Sequence, residues 1–175
     1  MKYRQFGSTG ISVSAVSYGG IVSAGIYGGA EYPSEGQYAS DRYVSWAIDQ
    51  GVNYFDVAPA YGNAQEQLGN SLLPYRRRIF LACKTGRRDR DGAEEDRGCF
   101  PKSWCKPIDT DLEPEFGIAA MKYTLSLGVD TLVPPGNFKS FSFAVEHIDE
   151  CLASPEPDLE LLKRKLETVH GKEFF

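Results

Sequence analysis

Between Ala15 and Lys84 the chain alternates two apolar rhythms, and this alternation limits the fold more than any other feature. Ala15 to Tyr18, Val52 to Asp56 and Ile79 to Cys83 are short apolar runs of strand length. Between the first two lies a helical stretch in which Tyr43, Val44, Trp46, Ala47 and Ile48 share a face, with Ser40 as a candidate N-cap and Gly51 as its stop. Between the second and third, Leu68, Leu72 and Leu73 form another helical stripe. Asn63 and Glu66 have capping-box spacing before it, and Pro74 ends it. Strand, helix, strand, helix, strand predicts an α/β protein with a parallel sheet covered by helices.

The flanks extend this plan. Gly7-Ser8-Thr9-Gly10 sits between two short extended segments and predicts a hairpin. Residues 25–39 are rich in Gly and Tyr and read as a loop. From Thr85 to Glu113 no apolar period is found. A helical face returns at Phe116, Ala119, Ala120, Tyr123 and Leu127 and is closed by Gly128. Val129 to Val133 reads as a strand, Pro134 to Asn137 as a turn, and Ser140 to Leu152 as a helix. A last helix is expected from about Asp158 to Val169.

Composition narrows the function. The 175 residues are 42% hydrophobic and carry a net charge of -5, which speaks against general nucleic-acid binding. Arg76, Arg77, Arg78, Arg87, Arg88 and Arg90 cluster, but Asp89, Asp91, Glu94, Glu95 and Asp96 dilute them into a solvated surface. No apolar run reaches the roughly 20 residues of a membrane span. Met1 to Gly10 lacks the apolar core of a signal peptide, so a reducing cytoplasm with free thiols is the expected setting. Cys83, Cys99, Cys105 and Cys151 match no zinc-ligand spacing, and no metal site is expected.

Three ionisable residues stand where parallel strands end: Asp56, Tyr61 in the following turn, and Lys84 after the next strand. An ammonium beside a phenol lowers the phenol's pKa and lets it pass a proton to a developing alkoxide near neutral pH. A carboxylate beside the ammonium holds it in place. Singly, each has a plainer reading. Asp56 can cap a turn, Tyr61 can be a turn aromatic, and Lys84 can be a surface charge.

Longer motifs carry a resemblance. Arg4 to Ser14, reading Arg-Gln-Phe-Gly-Ser-Thr-Gly-Ile-Ser-Val-Ser, is similar to the opening hairpin of bacterial aldo-keto reductases. Gly51-Val52-Asn53-Tyr54-Phe55-Asp56-Val57-Ala58-Pro59-Ala60-Tyr61-Gly62 resembles that family's most specific signature. Leu81 to Gly86 resembles its lysine-bearing strand, Ala119 to Val129 the helix before its last barrel strand, and Val133 to Asn137 its phosphate loop. The resemblance covers roughly residues 1–96 and 99–152. It implies a partial (β/α)8 TIM barrel with about four parallel strands, helices outside and a β-hairpin in front. It implies NADPH as cofactor and a small carbonyl compound as substrate. Asp56, Tyr61 and Lys84 would be three members of a catalytic tetrad, with Tyr61 the proton donor. Gly20 and Ile21 would lie beside the nicotinamide, with Asp56 lining the same place. Gly136 and Asn137 would offer backbone N–H groups to the phosphates, and Lys139 would reach the adenosine 2′-phosphate.

The sequence departs from this pattern in its middle. The tetrad's fourth member, a His after the fourth strand, has no counterpart. His147 and His170 are the chain's two histidines, and both fall in C-terminal helices. A barrel of this type takes about 250 residues, and one strand–helix unit about 30. Between Lys84 and Val129 four further units do not fit. Barrel strands four to seven are therefore expected to be absent, with the junction near Asp96 to Cys99. The chain then reads as one truncated domain over 1–175: an N-terminal barrel part at 1–96, an irregular junction at 97–115, and a C-terminal part at 116–175. Open strand edges would favour self-association. The alternatives to a reductase are a non-catalytic remnant with weak or no nucleotide binding, and an interaction protein acting through those edges.

Overall fold

The computed structural model describes residues 1–24, 36–59, 61–84 and 108–168. The hairpin is present: β1 (Tyr3–Gln5) pairs antiparallel with β2 (Ser12–Ser14). Next come β3 (Tyr18–Gly19), α1 (Ile21–Ala24), α2 (Gln37–Asp49), β4 (Tyr54–Val57), α3 (Ala64–Leu72) and β5 (Phe80–Cys83), with a 3₁₀ turn at Leu73–Arg78 before β5. The C-terminal part contributes α4 (Pro114–Ser126), α5 (Phe138–Ala153) and α6 (Leu159–Thr168). Strands β3, β4 and β5 form a parallel sheet in that order. The fold is thus α/β, with helices packed on a parallel sheet. No helix among the described residues is long and apolar enough to cross a membrane.

The strand expected at Val129 to Val133 is reduced to a single bridge. Leu132 pairs parallel with Val16, its N–H donating to Ala15 and its carbonyl accepting from Ser17. This contact seats the C-terminal part beside β3. On the far side, β5 has no strand neighbour among the described residues, and Phe80 and Leu81 are more than a third exposed. The cores of the two parts are continuous. Tyr18, Phe55, Val44, Ile48 and Leu68 share one cluster with Leu132, Phe141, Ala144 and Ile148. Tyr18 meets Phe55 at 5.3 Å and Phe141 edge-on at 5.1 Å. Tyr43 stacks on Phe138 at 4.2 Å, tying α2 to α5.

The pleat of β4 sorts its side chains. Phe55 and Val57 are buried, whereas Tyr54 and Asp56 are half-buried on the opposite face. The hairpin covers part of that second face, with the Phe6 ring 5.2 Å from Tyr54.

Several local expectations are corrected. Ser40 does not cap α2, which starts at Gln37 behind Gly36. Its buried hydroxyl instead bonds the hydroxyls of Ser23 and Ser71, joining α1, α2 and α3. Asn63 stands at the N-cap of α3 but makes no side-chain capping bond. Leu73 is 73% exposed, because the switch to a 3₁₀ turn at Pro74 takes it off the stripe held by Leu68 and Leu72. Gly51 does end α2 in the left-handed region, at φ 85°. The junction segment 85–107, the loop at 25–35, Cys99, Cys105 and His170 lie outside the described residues.

Candidate functional site

The site begins with backbone register. Gly19 aligns with Asp56 and Asp56 with Ala82, so the C-terminal ends of β3, β4 and β5 lie at one rim. Asp56 occupies the open face of β4 next to that rim. Tyr61 sits in the turn that follows, its N–H bonded to Ala58 and its carbonyl accepting from Ala64 at the start of α3. Lys84 extends β5, its N–H donating to the Val57 carbonyl at 3.0 Å.

These placements bring the three side chains around one ammonium. Lys84 Nζ donates to Asp56 Oδ1 at 2.5 Å and to the Tyr61 hydroxyl at 3.0 Å. It lies 4.9 Å from the Tyr61 ring centroid. The Asp56 side chain is 16% exposed and that of Lys84 51%, so the carboxylate is sheltered and the ammonium reaches solvent. Partial burial pulls the Lys84 pKa down, but the bonds from Asp56 and Tyr61 outweigh it and hold the amine above the ordinary lysine value. Because the ammonium donates to the phenol oxygen, the phenol's own proton points elsewhere and is free to be given away.

No protein-family profile matches the chain. Over 90 residues, 49% of its length, it is 32% identical to the aldo-keto reductase YhdN of Bacillus subtilis (strain 168). The chain resembles the aldo-keto reductases. It spans about a quarter of that curated relative, 26% of its length. Two solved structures from Pseudomonas aeruginosa, both provisionally assigned to the aldo-keto reductases, are 31% identical to it. One covers 51% of this chain at a TM-score of 0.41 and the other 48% at 0.40, and the chain spans 33% and 31% of them.

The remaining residues expected from the aldo-keto reductase resemblance fall into two groups. Gly20 is at the rim, its N–H donating to the Asp56 carbonyl at 2.5 Å, and Ile21 opens α1 beside it. A side chain at Gly20 would meet the Asp56 oxygen at 2.6 Å and Val57 Cγ2 at 2.9 Å. Glycine is therefore required by close strand approach, whatever else passes there. Gly20→Ala is expected to cost about 1–3 kcal/mol of stability, as overpacking does elsewhere. A urea midpoint equal to wild type would show that the strands part freely.

The second group follows the Leu132 bridge. Val133 Cγ1 would lie 3.4 Å from a side chain at Gly19, so the loop leaves the sheet at the same rim. Asn137 caps α5, its Oδ1 accepting from Ser140 N at 2.8 Å. Its N–H is bonded to the Pro135 carbonyl at 2.7 Å and is not open to a phosphate, contrary to expectation. The backbone N–H groups of Gly136, Phe138 and Lys139 make no bond among the described residues. They stand at a helix N-terminus, a favourable place for an anion.

Lys139 has partners that sequence reasoning missed. Its ammonium lies 2.7 Å from Asp111 and 2.9 Å from Asp109. Asp111 first and Asp109 second raise the Lys139 pKa well above the ordinary lysine value, and Lys139 in turn lowers that of Asp109. No local signal links residues 30 positions apart, and Asp109 fell within a stretch without period. His147 lies two turns further along the same helix as Lys139. It packs on Phe143 and faces Glu150 on α5.

Proposed function

We propose that the chain carries the proton-donating rim of an aldo-keto reductase and reduces a small aldehyde or ketone with a reduced nicotinamide dinucleotide, for which NADPH is the family's expectation. In this reading β3, β4, β5 and the Leu132 segment correspond to four strands of a (β/α)8 barrel whose central strands are absent. The observation that carries the reading is the Lys84 ammonium held between Asp56 and Tyr61 at 2.5 and 3.0 Å.

The dinucleotide would supply, when bound, a hydride to the carbonyl carbon, the C=O π pair passing to the oxygen as an alkoxide. Tyr61 gives its hydroxyl proton to that oxygen, completing the alcohol. Lys84 donates to the phenol oxygen throughout and stabilises the negative charge that grows there as the proton leaves. Asp56 keeps the ammonium in line and charged. The exposed side of Lys84 admits water, which restores the phenol proton. Gly136, Phe138 and Lys139 would hold the dinucleotide's pyrophosphate through backbone N–H groups. No His accompanies the cluster among the described residues, so orientation of the carbonyl oxygen falls to Tyr61.

The test is direct. The purified chain, given the reduced dinucleotide deuterated at its transferable position and a generic aldehyde, is expected to yield an alcohol labelled at the former carbonyl carbon. Absence of labelled alcohol at saturating concentrations of both would remove the catalytic reading and leave resemblance alone.

A further inference from the structure

Lys139 is the cation at the mouth of the dinucleotide loop, yet it is already neutralised. The carboxylates that neutralise it come from the segment between the junction and α4. In that segment Ile108 and Thr110 turn inward, lining a cavity of about 360 Å³ with Gly117, Met121 and Phe143. Asp109 and Asp111 alternate with them and turn outward onto Lys139. Asp109 is fixed in place by its own backbone. Its carboxylate accepts from Asp111 N at 3.2 Å, and its carbonyl accepts from Leu112 and Glu113 N–H groups. Asp109 is therefore pre-set against the lysine, and Asp111, 78% exposed, meets the same ammonium from the solvent side.

A phosphate monoester brought to Lys139 would meet two carboxylates at contact distance. The single ammonium cannot satisfy all of them, and like charges in close contact repel. A ribose hydroxyl brought there meets no such penalty. It finds acceptors, as where an acidic side chain reads a 2′-hydroxyl in other dinucleotide sites. We propose that Asp109 and Asp111 set the dinucleotide preference of this chain, favouring NADH and disfavouring NADPH. The inference rests on the proposed assignment of the Gly136 to Lys139 loop to the cofactor, with the 2′ position at the Lys139 ammonium as the resemblance implies.

Binding of NADH and NADPH is measured by calorimetry on the whole chain, the Asp109→Asn/Asp111→Asn double variant, and that variant with Lys139→Met added. Wild type should bind NADH more tightly. The double variant should gain roughly tenfold for NADPH, with NADH changing less than about twofold, since only the 2′-phosphate adds a charge at this point. Adding Lys139→Met should remove the gain. An unchanged NADPH-to-NADH ratio in the double variant, or a wild-type preference for NADPH, overturns the proposal. Amine labelling of Lys139, read by peptide mass spectrometry, separates this failure from that of the cofactor reading. Faster labelling in the double variant with no binding of either dinucleotide sinks the cofactor reading and the preference with it. Unchanged labelling sinks the counter-charge claim whatever the dinucleotides do. Asp111→Asn alone, at a side chain 78% exposed, gives the same readouts with little demand on folding.

Discussion

Tyr61→Phe is expected to lower carbonyl reduction by about 10²–10⁴-fold, the usual contribution of a positioned proton donor. The substitution removes one oxygen and leaves the ring, so packing beside the rim is kept. What disappears is the proposed proton source and the group to which Lys84 donates at 3.0 Å. The loss should fall on kcat, with dinucleotide binding unchanged, because in the proposed reading the hydroxyl serves the transition state and not the dinucleotide. Equal turnover in wild type and variant would deny Tyr61 its role. The supporting ion pair should be insensitive to ordinary pH. A lysine held above its free value contributes stability that is complete below the unfolded lysine pKa, about 10.4, and is lost only as pH rises through the folded one. The ion pair's contribution to stability should therefore stay flat between neutral and mildly alkaline pH, as read from urea midpoints.

Phe141→Ala is expected to destabilise the chain by about 3–5 kcal/mol, the range for truncating a buried aromatic. Phe141 is 1% exposed. It projects from α5 onto Tyr18 of β3 at 5.1 Å and onto Trp46 of α2 at 5.8 Å. It thus belongs to the C-terminal part and is buried by the N-terminal part. Domain stabilities of about 5–15 kcal/mol leave little margin for such a loss, so the urea midpoint should fall steeply. A shift below about 1 kcal/mol, far under the truncation range, would mean that the two parts do not share the core seen here. Such a result would also count against the proposed site, because the Leu132 bridge that seats the Val133 to Asn137 turn depends on that docking.

Much of the architecture was legible because it follows from periodicity. Strand-length runs at Val52 to Asp56 and Ile79 to Cys83, and the apolar face of α2, are set by spacing that survives any packing detail. The face expected at Phe116, Ala119, Ala120, Tyr123 and Leu127 is not the one α4 buries: Tyr123 and Leu127 are exposed, while Gly117, Ala119 and Leu125 are buried, because the packing partners decide which side turns inward. The strand expected at Val129 to Val133 was misjudged for the opposite reason. A strand exists only with a partner, and only Leu132 finds one, at Val16. Ser40 and Leu73 were misread because cap and stripe positions depend on where a helix starts and ends, which neighbours decide.

The order of Asp56, Tyr61 and Lys84 along the chain, each at or just past a strand end, was determined by sequence alone, since strands of one parallel sheet must end at the same rim. Whether their charged and polar atoms touch was decided by the register of β4 against β5. Tertiary structure alone put Asp109 and Asp111 on Lys139, because an ion pair needs proximity in space and nothing in local spacing encodes it.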